Sequence, residues 1–89
     1  LVIFTSDNGP HRESNHDTAL FAPSGAVRGF KRDLYDGGIR VPFIMSWPDR
    51  LRPARFDRPV SSMDILPTVV RAAGATPKAD KEGVDLVPY

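Results

Sequence analysis

Apolar positions along this chain fall into three patterns, and each predicts a different element. The first is an unbroken run, Leu1-Val2-Ile3-Phe4, at the head of a segment reaching Ser6. Continuous runs of this length mark strands buried on both faces, as in the middle of a parallel or mixed sheet. Asp7-Asn8-Gly9-Pro10 breaks the run sharply. From His11 to Gly29 no period is sustained and polar and small residues dominate, which predicts a long loop of the kind that in compact proteins is functional or disordered. The second pattern begins after Gly37-Gly38, where Ile39 to Trp47 resumes strand-like composition. Pro42 within it cannot donate to a ladder and predicts an edge position or a bulge. Pro48 closes the run, and residues 49–59 alternate arginine with aspartate and proline, which reads as an exposed connection.

The third pattern is helical. Leu66, Val69, Val70 and Ala73 stand at i, i+3, i+4 and i+7, so Met63 to Ala73 is expected to form a helix with one apolar stripe. Ser62 or Asp64 can cap its start, and Pro67 is tolerated only within the first turn, where no intrahelical N–H is lost. Gly74 stops the helix as a left-handed residue would. The tail from Ala75 to Tyr89 holds two prolines and no period.

Composition bounds the possibilities without deciding among them. A chain of 89 residues suits one small domain at most and would bury only about two-thirds of its surface. Apolar content of 40% and charged content of 26% are those of globular sequence, not of a disordered tail. A net charge of +1 supplies no bulk attraction to nucleic acid or to acidic membranes. The absence of cysteine excludes disulfides and thiolate metal sites. No apolar run approaches the roughly 20 residues of a membrane span. Leu1 is not an initiator methionine, and the chain opens inside an apolar run. That is expected of an internal segment of a longer polypeptide, so residues 1–89 are read as part of a domain.

Two constellations could carry chemistry. Asp7 and Asn8 stand immediately after a strand, where α/β proteins place ligands. A carboxylate beside an amide offers hard oxygen donors suited to Ca²⁺ or Mg²⁺. The same Asp-Asn-Gly-Pro is also excellent turn chemistry, and taken alone it remains open between the two. Lys31 follows Gly29 on a loop and could place an ammonium against an anionic oxygen, or could be a solvated charge. Gly37-Gly38 permits a close backbone approach or positive φ.

Taken together these pieces resemble one family. Val2-Ile3-Phe4-Thr5-Ser6-Asp7-Asn8-Gly9-Pro10 is similar to the metal-binding strand end of the arylsulfatase-type sulfatases. Val27-Arg28-Gly29-Phe30-Lys31, followed by Tyr35-Asp36-Gly37-Gly38-Ile39-Arg40-Val41-Pro42, resembles their second signature, and Trp47-Pro48 their tryptophan-proline. Asp64-Ile65-Leu66-Pro67-Thr68 and Gly83-Val84-Asp85-Leu86 match the two segments that follow, in the family's order. Asp36 stands where the family usually has glutamate, and Asp49 where glycine usually follows tryptophan-proline.

The resemblance implies an α/β fold, a portion of an alkaline-phosphatase-like mixed-sheet sandwich built as strand, long active-site loop, strand and helix. It implies a sulfuric ester hydrolase in which Asp7 and Asn8 are calcium ligands and Lys31 contacts sulfate. His11 would sit at the mouth of the pocket, contacting substrate or assisting the leaving group, with a solvated loop histidine as the alternative. His16 reads as loop surface. Arg28 and Arg40 read as structural, pairing with Asp33 or Asp36. The substrate would be a sulfate ester, a sulfated sugar or an aryl sulfate, in a periplasmic, secreted or lysosomal setting. The arginines at 50, 52, 55 and 58 are interleaved with Asp49 and Asp57 and lack an aromatic platform, so nucleic acid is not expected.

The family's nucleophile is a formylglycine made in a cysteine/serine-x-proline-x-arginine motif, and no such motif occurs here. The paired aspartates that complete the family's metal site and the further histidine and lysine of its sulfate pocket are not matched either. One aspartate and one asparagine fall well short of the six to eight oxygens that calcium takes. These 89 residues by themselves are therefore expected to be inactive, and their apolar strand is expected to favour self-association. Two rivals stand beside this reading. A phosphatase or phosphodiesterase of the same superfamily would usually place histidine where Asn8 stands. A non-catalytic binding or structural module could also have kept the scaffold.

Overall fold

A computed structural model describes residues 1–13 and 17–89, so the reading of His16 lies outside the described residues. The elements in order are β1 (Val2–Thr5), α1 (Thr18–Phe21), α2 (Asp36–Ile39), β2 (Phe43–Ser46), a 3₁₀ turn over Ser62–Asp64 and α3 (Ile65–Ala72). The order of strand, loop, strand and helix is therefore the one the sequence suggests. By contacts the chain divides into two compact units, residues 2–45 and residues 46–89 with Leu1.

In the first unit β1 and β2 pair as a two-stranded sheet. Exposed and half-buried residues alternate along both strands. The expectation that β1 is buried on both faces does not hold: Val2 is 66% and Phe4 60% exposed, and Ile44 of β2 is 59% exposed. A sheet of two strands gives each strand a single neighbour, and only Ile3, Thr5, Phe43 and Met45 are half-buried. Pro42 falls just before β2 rather than inside it, so the strand begins where its N–H donors begin.

One short helix, α1, interrupts the stretch read as loop, and a second, α2, lies beyond it. In α1, Asp17 is the N-cap, its Oδ1 accepting from the backbone N–H of Ala19 at 3.0 Å and of Leu20 at 2.9 Å. One turn later Ala22 takes left-handed geometry at φ 39° and the helix stops. A period of 3.6 cannot show itself over four residues, so the cap was the only sequence signal. Gly37 and Gly38 lie inside α2, where the sequence reading had them closing a segment.

In the second unit Asp64, one of the two expected caps, is the N-cap position of α3 and shares a capping box with Ser61, one residue before the expected Ser62. Ser61 is the N-cap of the 3₁₀ turn, its Oγ accepting from Met63 N–H, while Asp64 Oδ2 accepts from Ser61 N–H at 2.8 Å. That reciprocal pair is a capping box. Pro67 is the third residue of α3, within the first turn as its chemistry demands. At the other end Gly74 has φ 78°, its N–H donates to Arg71 O at 2.9 Å, and Ala75 N–H donates to Val70 O at 3.0 Å. These two bonds make a Schellman motif.

The face that α3 buries is not the predicted stripe. Leu66, Val69 and Ala73 are exposed, whereas Asp64, Pro67 and Thr68 are buried. What they pack against is the segment Gly83–Val87. Thr68 Oγ1 donates to Asp64 O at 2.6 Å and accepts from Leu86 N–H at 2.9 Å, and Asp64 Oδ1 accepts from Val84 N–H at 2.9 Å. Leu86 is the buried hydrophobic residue of this unit, and Gly83, at φ 95°, lets its backbone pass against Met63 O where a Cβ would overlap it. Residues 49–59 are the exposed connection anticipated, with Leu51 alone half-buried and Arg55 Nε 2.7 Å from Asp57 Oδ1.

Candidate functional site

The carboxyl end of β1 delivers Ser6, Asp7 and Asn8. Ser6 Oγ donates to Asn8 O at 2.9 Å, which closes a tight turn directly after the strand. Asn8 Nδ2 donates to Gly9 O at 2.9 Å, so the amide's donor is committed to backbone and its oxygen is left as the available group. Asp7 is exposed, and among the described residues its carboxylate makes no hydrogen bond or ion pair. The turn is made by backbone, by the Ser6 hydroxyl and by Asn8 Nδ2, and the Asp7 carboxylate and Asn8 Oδ1 remain as hard oxygen donors.

Lys31 is brought to the same place by its backbone. Its N–H donates to Pro10 O at 2.8 Å. Two side-chain contacts run alongside: the Arg12 guanidinium lies 3.9 Å from the centre of the Phe30 ring, and Arg32 pairs with Glu13. The Lys31 side chain is exposed, and among the described residues its ammonium has no ion-pair partner. Segments 10–13 and 30–32 are thus laced together while both site charges stay unneutralised. The pairs that do the lacing are solvent-exposed, so the backbone bond fixes the register more than they do.

A cleft of about 380 Å³ opens beside the strand end, with Asn8, Pro10, His11, Ser24, Arg40 and Pro42 among its walls. His11 is thereby placed at its edge, Nδ1 accepting from Glu13 N–H at 3.2 Å. Arg40 is structural as expected, its Nη1 3.9 Å from Asp36 Oδ2. The shortened carboxylate at 36 therefore still reaches its partner one helical turn away. Arg28 behaves differently from the expectation: it lies over the Tyr35 ring at 3.9 Å, and Asp33 instead accepts from Phe30 N–H at 2.9 Å. Asp49, where glycine was the usual residue, takes φ 67°, a left-handed conformation that glycine adopts freely and aspartate tolerates.

As a metal site the cluster is partial. Among the described residues no three His, Cys, Asp or Glu side chains converge on one point. Asp7 and Asn8 contribute oxygen donors of the right hardness for calcium, and too few of them to hold it without other donors.

Residues 1–75 match the family model for sulfatases. The chain belongs to the sulfatase family. It is 42% identical to the steryl-sulfatase of Mus musculus over 99% of this chain and 15% of that protein. Against arylsulfatase A of Homo sapiens it is 39% identical, over 99% of this chain and 17% of the relative. An N-acetylgalactosamine-6-O-sulfatase of Bacteroides thetaiotaomicron is 36% identical over 74% of this chain and 14% of its own length. The chain spans about one-sixth of the length of these sulfatases. No solved structure matches it. Membership of the sulfatases implies an alkaline-phosphatase-like fold, and the two-stranded sheet and few helices are consistent with a portion of one.

Two features of this sulfatase chain escaped sequence reading. One is the polar latch of Asp64 and Thr68 on residues 83–87; its motifs were visible, and their mutual contact was not. The other is that the buried residues among those described from Val2 to Met45 are Gly9, Gly29, Gly37 and Gly38.

Proposed function

We propose that this chain is a portion of the catalytic domain of a sulfuric ester hydrolase, within an alkaline-phosphatase-like mixed-sheet sandwich. Asp7 and Asn8 are two of its calcium ligands, and Lys31 binds a sulfate oxygen. The observation that carries this reading is the bond from Lys31 N–H to Pro10 O, 2.8 Å, which ties the backbone of the lysine loop to the segment that follows Asp7 and Asn8. Bound calcium supplies positive charge that offsets the anionic sulfate. Lys31 adds a charge-assisted contact whose value grows as negative charge develops on the sulfate oxygens. His11, on the cleft wall, contacts the substrate or assists the departing alcohol.

The nucleophile lies outside this chain. Within the family it is a formylglycine, and the 89 residues contain no cysteine/serine-x-proline-x-arginine from which to make one, so alone they have no covalent route. The substrate is a sulfate ester, of a sugar or an aryl alcohol. In the complete protein, Asp7→Ala is expected to abolish turnover and weaken calcium binding measured by titration calorimetry. Undiminished turnover of the unmodified protein in calcium-free buffer would refute the assignment.

A further inference from the structure

The first unit has a backbone core. Its buried residues among those described are four glycines, and they sit against one another. Gly9 N–H donates to Gly38 O at 2.9 Å, and Gly37 N–H donates to Arg28 O at 2.7 Å. A Cβ placed on Gly9 would overlap Gly37 O and come within 2.9 Å of its carbonyl carbon. One on Gly37 would overlap Gly29 O, lie 2.6 Å from Gly29 C and 2.8 Å from Arg28 O. One on Gly38 would overlap Asp33 O and lie 2.5 Å from Phe30 O. In each case the obstacle is main chain, which cannot rotate aside as a side chain can.

The order of these contacts matters. Gly9 follows Asp7-Asn8 directly, and Gly29 precedes Lys31 by two residues. Between them lies the one-turn helix α2, with Gly37 touching the Gly9 side and the Gly29 side at once. The strand end and the lysine loop are thus spaced by the thickness of bare backbone. Any side chain in the sandwich would separate them by about the diameter of a methyl group. The Lys31 N–H to Pro10 O bond closes the arrangement, and the exposed Arg32–Glu13 pair runs alongside it.

We propose that Gly9, Gly37 and Gly38 form a spacer that sets the distance between the Asp7-Asn8 oxygens and the Lys31 ammonium. They act as positioning residues for sulfate-ester turnover. This rests on the assignment of Lys31 to sulfate. Gly37 touches no reacting group; it acts through where it puts Lys31.

A double-mutant cycle in the complete protein separates placement from simple stability. Gly37→Ala is made in the wild-type and in the Lys31→Ala backgrounds, and kcat/KM for an aryl sulfate is measured per folded molecule. If Gly37 places Lys31, Gly37→Ala is expected to lower kcat/KM by about tenfold to a hundredfold in the wild type and by only a small factor once Lys31 is gone. Equal losses in both backgrounds would overturn the proposal, because a general loosening of the fold does not depend on Lys31. So would a Gly37→Ala variant with wild-type kinetics. Wild-type kinetics for Lys31→Ala alone would instead overturn the assignment of Lys31, and the spacer's catalytic role with it. Should Gly37→Ala not fold, Gly29→Ala enters the same cycle. Its Cβ would meet the Tyr35 Cβ at 2.9 Å and the Asp33 Cβ at 3.2 Å rather than main chain, and its φ of 99° adds backbone strain of its own, so its kcat/KM is again taken per folded molecule.

Discussion

Thr68 is the most enclosed side chain described in this sulfatase chain, with no exposed surface, and its hydroxyl works in both directions. It donates to Asp64 O at 2.6 Å and accepts from Leu86 N–H at 2.9 Å. Thr68→Val keeps the shape and removes the hydroxyl. Asp64 O then loses one donor, a modest loss for a carbonyl with two lone pairs. Leu86 N–H loses its acceptor while its residue is only 7% exposed, and a buried donor without a partner costs about 1–3 kcal/mol. Thr68→Ser makes the opposite change. It keeps both hydrogen bonds and removes one buried methyl, worth roughly 0.8 kcal/mol with an added term if a cavity remains. The two variants overlap in total cost, so stability alone does not separate them. Amide exchange does: Leu86 N–H should exchange much faster in the Val variant and at close to the wild-type rate in the Ser variant. If Leu86 stayed equally protected in Thr68→Val, the latch would rest on apolar packing and the hydrogen-bond account would be wrong.

Two further outcomes are expected. Lys31→Ala in the complete protein should lower kcat/KM for sulfate esters by on the order of a hundredfold, about 3 kcal/mol, with calcium content unchanged; wild-type kinetics would make Lys31 a surface charge. The 89-residue chain on its own should self-associate through the apolar residues that β1 and β2 leave uncovered, Val2, Phe4 and Ile44, at 66%, 60% and 59% exposure. Sedimentation decides that, and a monodisperse monomer with strongly protected amides from Val2 to Thr5 would refute it.

Where local chemistry decides the backbone, the sequence was legible. Pro67 in the first turn of α3, Gly74 at its end and the Asp-Asn-Gly-Pro break after β1 all follow from what one residue forbids or permits. Where the outcome depends on what lies opposite, it was not. The run from Leu1 to Phe4 states how apolar a strand is, and not whether anything covers it. The stripe of Leu66, Val69 and Ala73 obeys helical period, yet α3 buries Asp64, Pro67 and Thr68 instead. Those residues win because a carboxylate and a hydroxyl can satisfy the backbone N–H groups of Val84 and Leu86, whereas leucine and valine cannot.

The same distinction runs through the site. Asp7, Asn8 and Lys31 could be proposed from sequence because the chemistry they offer is in their side chains. What relates them to one another is main chain. A glycine in sequence announces freedom at its own position and says nothing of which carbonyl will lie against it. Gly37 and Gly38 accordingly read as a chain break, while in the fold they are packed against the backbone of Gly9 on one side and of Arg28, Gly29, Phe30 and Asp33 on the other. If that packing sets the spacing, tolerance should differ sharply within one short motif. Asp36 can stand for glutamate because its carboxylate reaches outward to Arg40, and the substitution changes only an exposed pair. A single methyl at Gly37, the next residue along the chain, has only carbonyl groups to push against.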